Sequence, residues 1–304
     1  MLDPRRLAVL REFAAQGTIA RAAEALSFTP SAVSQQLSQL QRESGVALYR
    51  RAGRRLELTD AGRMLAARAG ELLARHEEVE AELAQAAGDV RGTVRVAAFQ
   101  TASRALVLPA IEGLAGTHPG LRIELMELEA EESLPLAARG AVELAIAEEY
   151  EHAPRPHVAG LERAYLDPDE MVLALPAAHA AAAGDPVSLA TLSDLAWATG
   201  HAGTAYSDMV TRICRAVGGF EPDIHHRVSD MDLLLGLVAG GRAAAVVPTL
   251  GHPEREPGVA VRRIAGGSFQ RALFVATRAS DRARPATAAA VAAIEEAARA
   301  GGYS

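Results

Sequence analysis

Ser31, Ser34, Gln35, Ser38 and Gln39 fall at helical spacing and offer hydroxyls and carboxamides, with no charge among them until Arg42 and Glu43. Short polar side chains of this kind suit close approach to base edges, and a glutamine can pair bidentately with adenine in a major groove. Thr29 stands just ahead as the residue that caps this helix, with Pro30 following it. Next come Arg50, Arg51, Arg54 and Arg55, grouped around a turn at Ala52-Gly53. Guanidinium groups on such a turn can pair with phosphate or enter a minor groove. Taken singly, the first group is equally a solvated helix face and the second a solvated loop. Their adjacency is what points to a duplex.

The elements that must position these groups are readable nearby. Pro4 to Gln16 reads as a helix burying Leu7, Leu10 and Phe13. Thr18 caps a second helix, Ile19 to Leu26, with Ile19, Ala22, Ala23 and Leu26 at helical spacing. After a break at 27–30 the polar helix runs from about Ser31 to Glu43, with Val33, Leu37 and Leu40 inward. Val46 to Thr59 reads as a hairpin, so the whole is a winged helix-turn-helix. Thr59-Asp60 then starts a long helix to about Ala87, whose Leu65, Leu72 and Val79 recur every seven residues, with Ala69, His76 and Leu83 between them. That seam suggests pairing with a second copy of the chain.

At 304 residues there is room for two or three domains. The chain contains no lysine and no asparagine, so phosphate contacts must come from arginine and asparagine–adenine readout is excluded. The net charge of −7 is unevenly placed. Residues 1–58 hold nine arginines against five acids, leaving 22 against 33 for the rest. A basic head on an acidic body suits a DNA-contacting domain attached to something that stays off DNA. The lone Cys214 excludes an internal disulfide and fits a reducing cytoplasm. No apolar signal core follows the first residues, and the most apolar later run, Met171 to Ala183, is too short to span a bilayer. A cytoplasmic protein with no membrane partner is therefore expected.

The head resembles the N-terminal domain of LysR-type transcriptional regulators. The resemblance is carried by Ala22-Ala23, Leu26, Ser31-Ala32-Val33-Ser34, Gln36-Leu37, Leu40, Gly45, Leu48-Tyr49, Arg51, Arg54 and Leu58-Thr59-x-Ala61-Gly62. One departure is Pro30, where the family often has a glutamine that touches a base. From Gly92 onward strands alternate with helices, which by itself predicts mostly parallel sheets. This half is similar, more by pattern than by motif, to the effector-binding half of the same family. Its best marks are Gly92-x-Val94-x-Val96, Leu108-Pro109, His118-Pro119 and Val246-Val247-Pro248.

The resemblance implies an α/β fold class with three parts. These are an all-α-rich N-terminal winged helix-turn-helix (1–58), a long linker and dimerisation helix (59–89), and a C-terminal type 2 periplasmic-binding-protein-like domain (90–304). The last has two subdomains, about 90–162 with 269–304 and about 163–268, joined by crossings near Tyr150–Arg163 and Ser268–Phe274. It also implies double-stranded DNA and a small-molecule effector as partners. A homodimer held by Leu65, Leu72, Val79 and Leu83 is implied too, assembling further as a homotetramer.

Ligands of open α/β sheets sit beyond the carboxyl ends of strands, beside helix N-termini. That selects Phe99, Gln100, Thr101, Ala102 and Ser103 in one subdomain; in the other it selects His201 and Thr204 within 200–206, and Pro248 with Thr249. Thr101, Ser103 and Thr204 read equally as helix caps. Glu149, within the run Glu148, Glu149 and Glu151, could meet an amine or guanidinium, although such runs are usually solvated acidic loops. The single Trp197 is placed near the cleft.

Asp223, His225 and His226 make a poor chelate because adjacent strand residues face opposite ways, so neither metal nor cofactor is expected. Gly-x-Ser-x-Gly, Cys-x-x-Cys, His-Glu-x-x-His and phosphate-loop motifs are all missing from the sequence, and an α/β body alone does not make an enzyme. The reading is a DNA-binding regulator modulated by an effector. Its alternative is a ligand-independent architectural DNA binder, or a solute sensor with a vestigial head.

Overall fold

The computed structural model describes residues 2–26, 28–52, 55–86, 90–151 and 154–301. The chain divides into two compact units, Met1–Ala87 and Gly88–Ser304.

The first unit holds α1 (Pro4–Gln16), α2 (Ile19–Ala25), α3 (Pro30–Ser44), the hairpin β1 (Tyr49–Ala52) and β2 (Arg55–Leu58), and α4 (Asp60–Ala86). Caps set the helix starts. Asp3 accepts from the amide of Arg5 at 2.8 Å, Thr18 from Arg21 at 3.3 Å and Thr29 from Ala32 at 3.2 Å. Gly45 ends α3 in the left-handed region, at φ 71°. Leu10, Leu37 and Leu40 are completely or almost completely buried, each stabilising the unit by about 1.5–3 kcal/mol. Ala66, Ala69 and Leu73 of α4 join that core, and Leu65 packs against it.

Two motif residues fix the hairpin to α4. The Thr59 hydroxyl donates to Ala47 O at 2.7 Å and accepts from Gly62 N at 3.0 Å. Gly62 must lack a side chain, since a Cβ there would lie 1.9 Å from the backbone oxygen of Leu48.

The second unit begins with β3 (Gly92–Ala98). A helix follows that runs from α5 (Gln100–Ala102) through a π turn (Ser103–Val107) into α6 (Leu108–Thr117). Next come β4 (Leu121–Glu127), α7 (Ala130–Arg139), β5 (Leu144–Tyr150), β6 (Glu162–Tyr165) and β7 (Asp169–Pro176). The chain continues through β8 (Ala196–Thr199), α8 (Ala205–Ile213), β9 (Asp223–Arg227), α9 (Met231–Ala239), β10 (Ala245–Pro248) and β11 (Val259–Arg262). It closes with β12 (Gln270–Thr277), α10 (Ala279–Arg282) and α11 (Pro285–Gly301).

The main sheet runs β10-β7-β12-β5-β3-β4, with β11 on β7 and β6 on β12. Its direction corrects the expectation of mostly parallel sheets. β3 is parallel to β4 and β5, and β8 to β9, but β12 is antiparallel to β5, β6 and β7, and β7 to β10 and β11. Alternation of strand and helix reports element type, whereas direction depends on where the chain returns. Here β12 comes back through the middle of the sheet and joins the halves. β11 was not anticipated; its Val-Ala-Val-Arg run is only partly buried and carries no clear alternation.

Both halves are three-layered. Leu106, Leu114, Val291 and Ile294 cover one face of the first half, and Leu134, Ala137 and Phe274 fill the other. In the second half the faces are filled by Leu189, Trp197, Val210 and Ile213, and by Leu234, Leu235 and Val238. β5 is buried along nearly its whole length, as a strand covered on both faces must be.

Candidate functional site

The polar face of α3 is solvent-facing to different degrees. Ser31 and Gln35 are exposed, while Ser34, Ser38 and Gln39 are half-buried. Thr29 Oγ1 lies 3.0 Å from Ser31 Oγ, so these two hydroxyls form one polar corner at the start of α3. Ser38 donates to Ser34 O at 2.8 Å and meets the Tyr49 hydroxyl at 3.0 Å, which ties the helix to β1. Gln39 is held by Arg42 and Glu43. Gln35 has no hydrogen-bond partner among the described residues and is the freest amide on the face. Arg50 sits 3.4 Å from Glu57 across the hairpin, and Arg51 is exposed. Arg54 and the side chain of Arg55 lie outside the described residues.

Two residues that no sequence signal singled out, Gln41 and Arg6, hold this arrangement. Gln41 Oε1 accepts from the amides of Leu48 and Tyr49 at 2.9 and 3.4 Å, setting where the hairpin leaves α3. Arg6 of α1 pairs with Glu43 and donates to Gln36 at 3.2 Å, pinning α3 from behind. Further along α4, Leu72, Val79 and Leu83 are 48%, 43% and 67% exposed, whereas Leu65 is partly covered by the head.

In the second unit a narrow cavity of about 50 Å³ opens between the two halves. Phe99, Gln100, Thr101, His201, Thr204 and Pro248 line it, joined by Glu129, Glu148, Tyr150, Tyr206 and Arg271. Ala102 and Ser103 lie just behind, with Ser103 Oγ donating to Ala98 O at 3.1 Å. The cap reading of Thr101 and Ser103 is thereby corrected. The helix begins at Gln100, earlier than the pattern suggested, and Phe99 caps it without a side-chain bond. Thr204 does cap α8, accepting from Ser207 N at 3.3 Å.

Arg271, which the sequence reading missed, is the hub of one wall. It donates to Asp169 at 2.8 Å and to Thr101 Oγ1 at 3.0 Å, and its guanidinium lies 5.0 Å from the Phe99 ring centroid. Asp169 is fully buried and also accepts from Thr249 Oγ1 and Leu250 N, at 2.8 and 3.0 Å. Thr249 therefore serves this hub. Glu149 points elsewhere, accepting from Arg163 at 3.0 Å and from the Tyr165 hydroxyl at 2.8 Å. Its neighbour Glu148 faces the cavity. Trp197, expected near the cleft, is instead fully buried in the second half's core beside Phe220.

Several bonds cross between the halves. Gln100 accepts from Met231 N at 2.9 Å and donates to Asp230 at 3.2 Å. Glu131 accepts from Ala205 N at 3.2 Å, and Arg104 pairs with Asp232. Burial, then the charges of Glu148 and Glu131, push the Glu129 carboxyl up to about 7. Burial also raises Glu148. Glu131 is held below the ordinary range by Arg155 against the cost of its own burial.

Residues 4–63 match the family described as "Bacterial regulatory helix-turn-helix protein, lysR family", and residues 87–299 match "LysR substrate binding domain". The chain belongs to the LysR family. It is a DNA-binding transcriptional regulator with an effector-binding domain, not an enzyme.

Among curated relatives, the small neutral protease regulatory protein of Streptomyces coelicolor is 32% identical over 286 residues, 91% of this chain and 82% of that one. AlsR, an HTH-type transcriptional regulator of Bacillus subtilis, is 27% identical over 234 residues, 75% of this chain and 74% of that one. Full-length OxyR of Pseudomonas aeruginosa shares the fold at TM-score 0.68 and 21% identity, covering 98% of this chain and 95% of that one. Full-length CbnR, solved in complex with its target DNA, shares it at TM-score 0.55 and 24% identity, covering 99% and 100%. The match to the LysR substrate-binding domain makes the second unit of the LysR protein a type 2 periplasmic-binding-protein-like α/β domain.

Among the described residues of this LysR-family chain, no helix is long and apolar enough to cross a membrane. None of their His, Cys, Asp and Glu side chains form a group of three or more placed to hold a metal ion. What sequence reasoning missed at the cleft is chiefly Glu129 and Arg271, from a helix start and a distant strand; Glu148 was read only as a member of the acidic run, with Glu149 chosen from it.

Proposed function

We propose that this LysR-family regulator works in the cytoplasm as a homodimer, itself able to pair into a tetramer, and reads an interrupted inverted repeat on double-stranded DNA. Ser31, Ser34, Gln35 and Gln39, with Thr29 and Ser38 at the edges, set base preference. Arg50, Arg51, Arg54 and Arg55 supply phosphate contacts. Leu72, Val79 and Leu83, with Leu65 nearer the head, form the seam between copies; their exposed apolar side chains recur along one stripe of α4. The complex of the neighbour CbnR with DNA is consistent with this reading.

An effector enters the cavity lined by Phe99, Gln100, Thr101, His201, Thr204 and Pro248, with Ala102, Ser103 and Thr249 behind it and Glu149 beside it. It acts by favouring one spacing of the two halves, which the bonds of Gln100, Glu131 and Arg104 now bridge. A ligand shifts such an equilibrium only as far as its affinities for the two placements differ.

The observation that carries the proposal is an uncharged polar ridge on α3, with exposed Gln35 at its centre and exposed Arg51 on the neighbouring hairpin. Affinity for DNA should fall steeply with salt, with a log–log slope of about −0.9 per phosphate contact. Removing Arg51 and Arg54 together should flatten that slope by about two contacts' worth. An unchanged slope in a fluorescence-anisotropy titration would remove the wing from the interface. A metabolite screen that left DNA affinity untouched throughout would favour a ligand-independent architectural binder.

A further inference from the structure

We infer that the cleft is built to receive the cationic nitrogen of its effector, a protonated amine or a guanidinium, between Glu129 and Glu148. This inference rests on the reading of the cleft as the effector site and adds the chemical class.

Three observations carry it. First, Glu148 is only 3% exposed and lines the cavity, with Oε1 accepting from Arg155 at 2.7 Å. Its second oxygen, Oε2, is buried with no hydrogen-bond partner in the protein. A buried carboxylate oxygen left unpaired is costly, and a donor that reaches it recovers that cost. Second, Glu129 precedes α7 but makes no side-chain cap bond, so its carboxyl is not used to start the helix and lines the same cavity.

Third, the cations of the cleft are already committed. Arg271 is held by Asp169, and Arg155 by Glu148 and Glu131. Four carboxylates, Glu129, Glu131, Glu148 and Asp169, therefore face two guanidinium groups. An anionic effector would meet four carboxylates and guanidinium groups already paired with them, while a cation completes the set. A volume of about 50 Å³ has room for a head group the size of roughly three or four waters.

The site has a proton signature. Glu129 is faced by Glu148 on β5, Glu131 on α7, Arg271 on β12, Arg155 in the segment after β5, and His201 in the loop after β8, with the hydroxyls of Tyr150 and Tyr206 nearby. Its carboxyl, raised to about 7, is partly protonated at neutral pH when the cavity holds no cation. A bound cation favours the ionised form, so binding releases a proton. Affinity should then rise from pH 6 to 8, by at most about tenfold per pH unit below the raised value, and level off above it.

The test uses the full chain and calorimetric titration with four probes of one carbon skeleton: n-butylammonium, n-butylguanidinium, n-butyrate and 1-butanol. The cations should bind, and butyrate and butanol should bind about ten- to a hundredfold more weakly. Glu148→Gln should remove most of that preference. Glu129→Gln should weaken the cations and abolish the rise between pH 6 and 8, whereas His201→Gln should keep it. Melting curves establish that each variant folds; should Glu148→Gln fail to do so, the less buried Glu129→Gln decides.

Preferential binding of butyrate, or cation binding indifferent to both substitutions, overturns the cation assignment while leaving an effector cleft. So does a mixed-charge metabolite library in which only anionic or neutral members change DNA affinity. If no probe binds and no library member of any charge alters DNA affinity, both this inference and the effector reading fall.

Discussion

Because the chain has no lysine, its hairpin and its cleft put the same cation to opposite uses. On the hairpin Arg51 stands exposed, and Arg50 faces Glu57 at 3.4 Å with both side chains more than half exposed. In the second unit the Arg271, Arg155 and Arg163 side chains are 6%, 12% and 7% exposed, and each is held by a carboxylate. Arg163 also lies 4.5 Å from the Phe274 ring centroid. An exposed guanidinium gives little to stability and keeps its charge available for a partner. A buried one is useful only if its planar fork is matched, so it is committed to the fold. The hairpin's guanidinium groups stay open to solvent, and those of the cleft are tied into the fold.

That contrast breaks most visibly at Asp169. Asp169→Ala leaves Arg271 buried without its carboxylate, and should cost about 3–5 kcal/mol in a urea melt of the full chain. If Arg51→Ala destabilised the protein as much, the distinction between solvent-open and structural charge would be lost. Next comes Gln35→Ala, which should reduce discrimination between cognate and scrambled duplex by about 1–3 kcal/mol while leaving nonspecific affinity in place. Equal losses on both duplexes, measured by competition binding, would make Gln35 a bystander.

Tyr49→Phe deletes the hydroxyl that meets Ser38 and should cost about 0.5–1.5 kcal/mol of stability. A loss near zero would mean that the hairpin is set by Gln41 and Thr59 alone. Smallest is Arg50→Ala, expected to move stability by less than about 1 kcal/mol, since its partner Glu57 is solvated. A larger drop would place Arg50 among the structural arginines.

The head was legible because its signals are local. Thr18 and Thr29 cap the helices they were expected to cap, and the apolar positions of α1, α2 and α3 fell inward at the spacing read from the sequence. The Thr59-x-Ala61-Gly62 motif proved to be a hydrogen-bonded junction with no room for a Cβ. The cleft was legible only by position. Strand ends at Phe99, Thr199 and Pro248 pointed to residues in or next to the cavity's lining, but not to the charged side chains that share it. Glu149 was favoured over Glu148, although adjacent strand residues face opposite ways and only the sheet's partners decide which face is inside.

The sequence by itself determined the helices and caps of the head and the uneven placement of charge, because caps and apolar spacing depend on residues within a turn or two of one another. Tertiary structure alone decided that β12 returns antiparallel through the sheet, bringing Arg271 to Asp169 and Thr101, residues more than a hundred positions away. It also decided that Glu129 and Glu148 share one cavity. Strand direction and the pairing of distant charges follow from how the chain closes on itself, and no local periodicity encodes that closure.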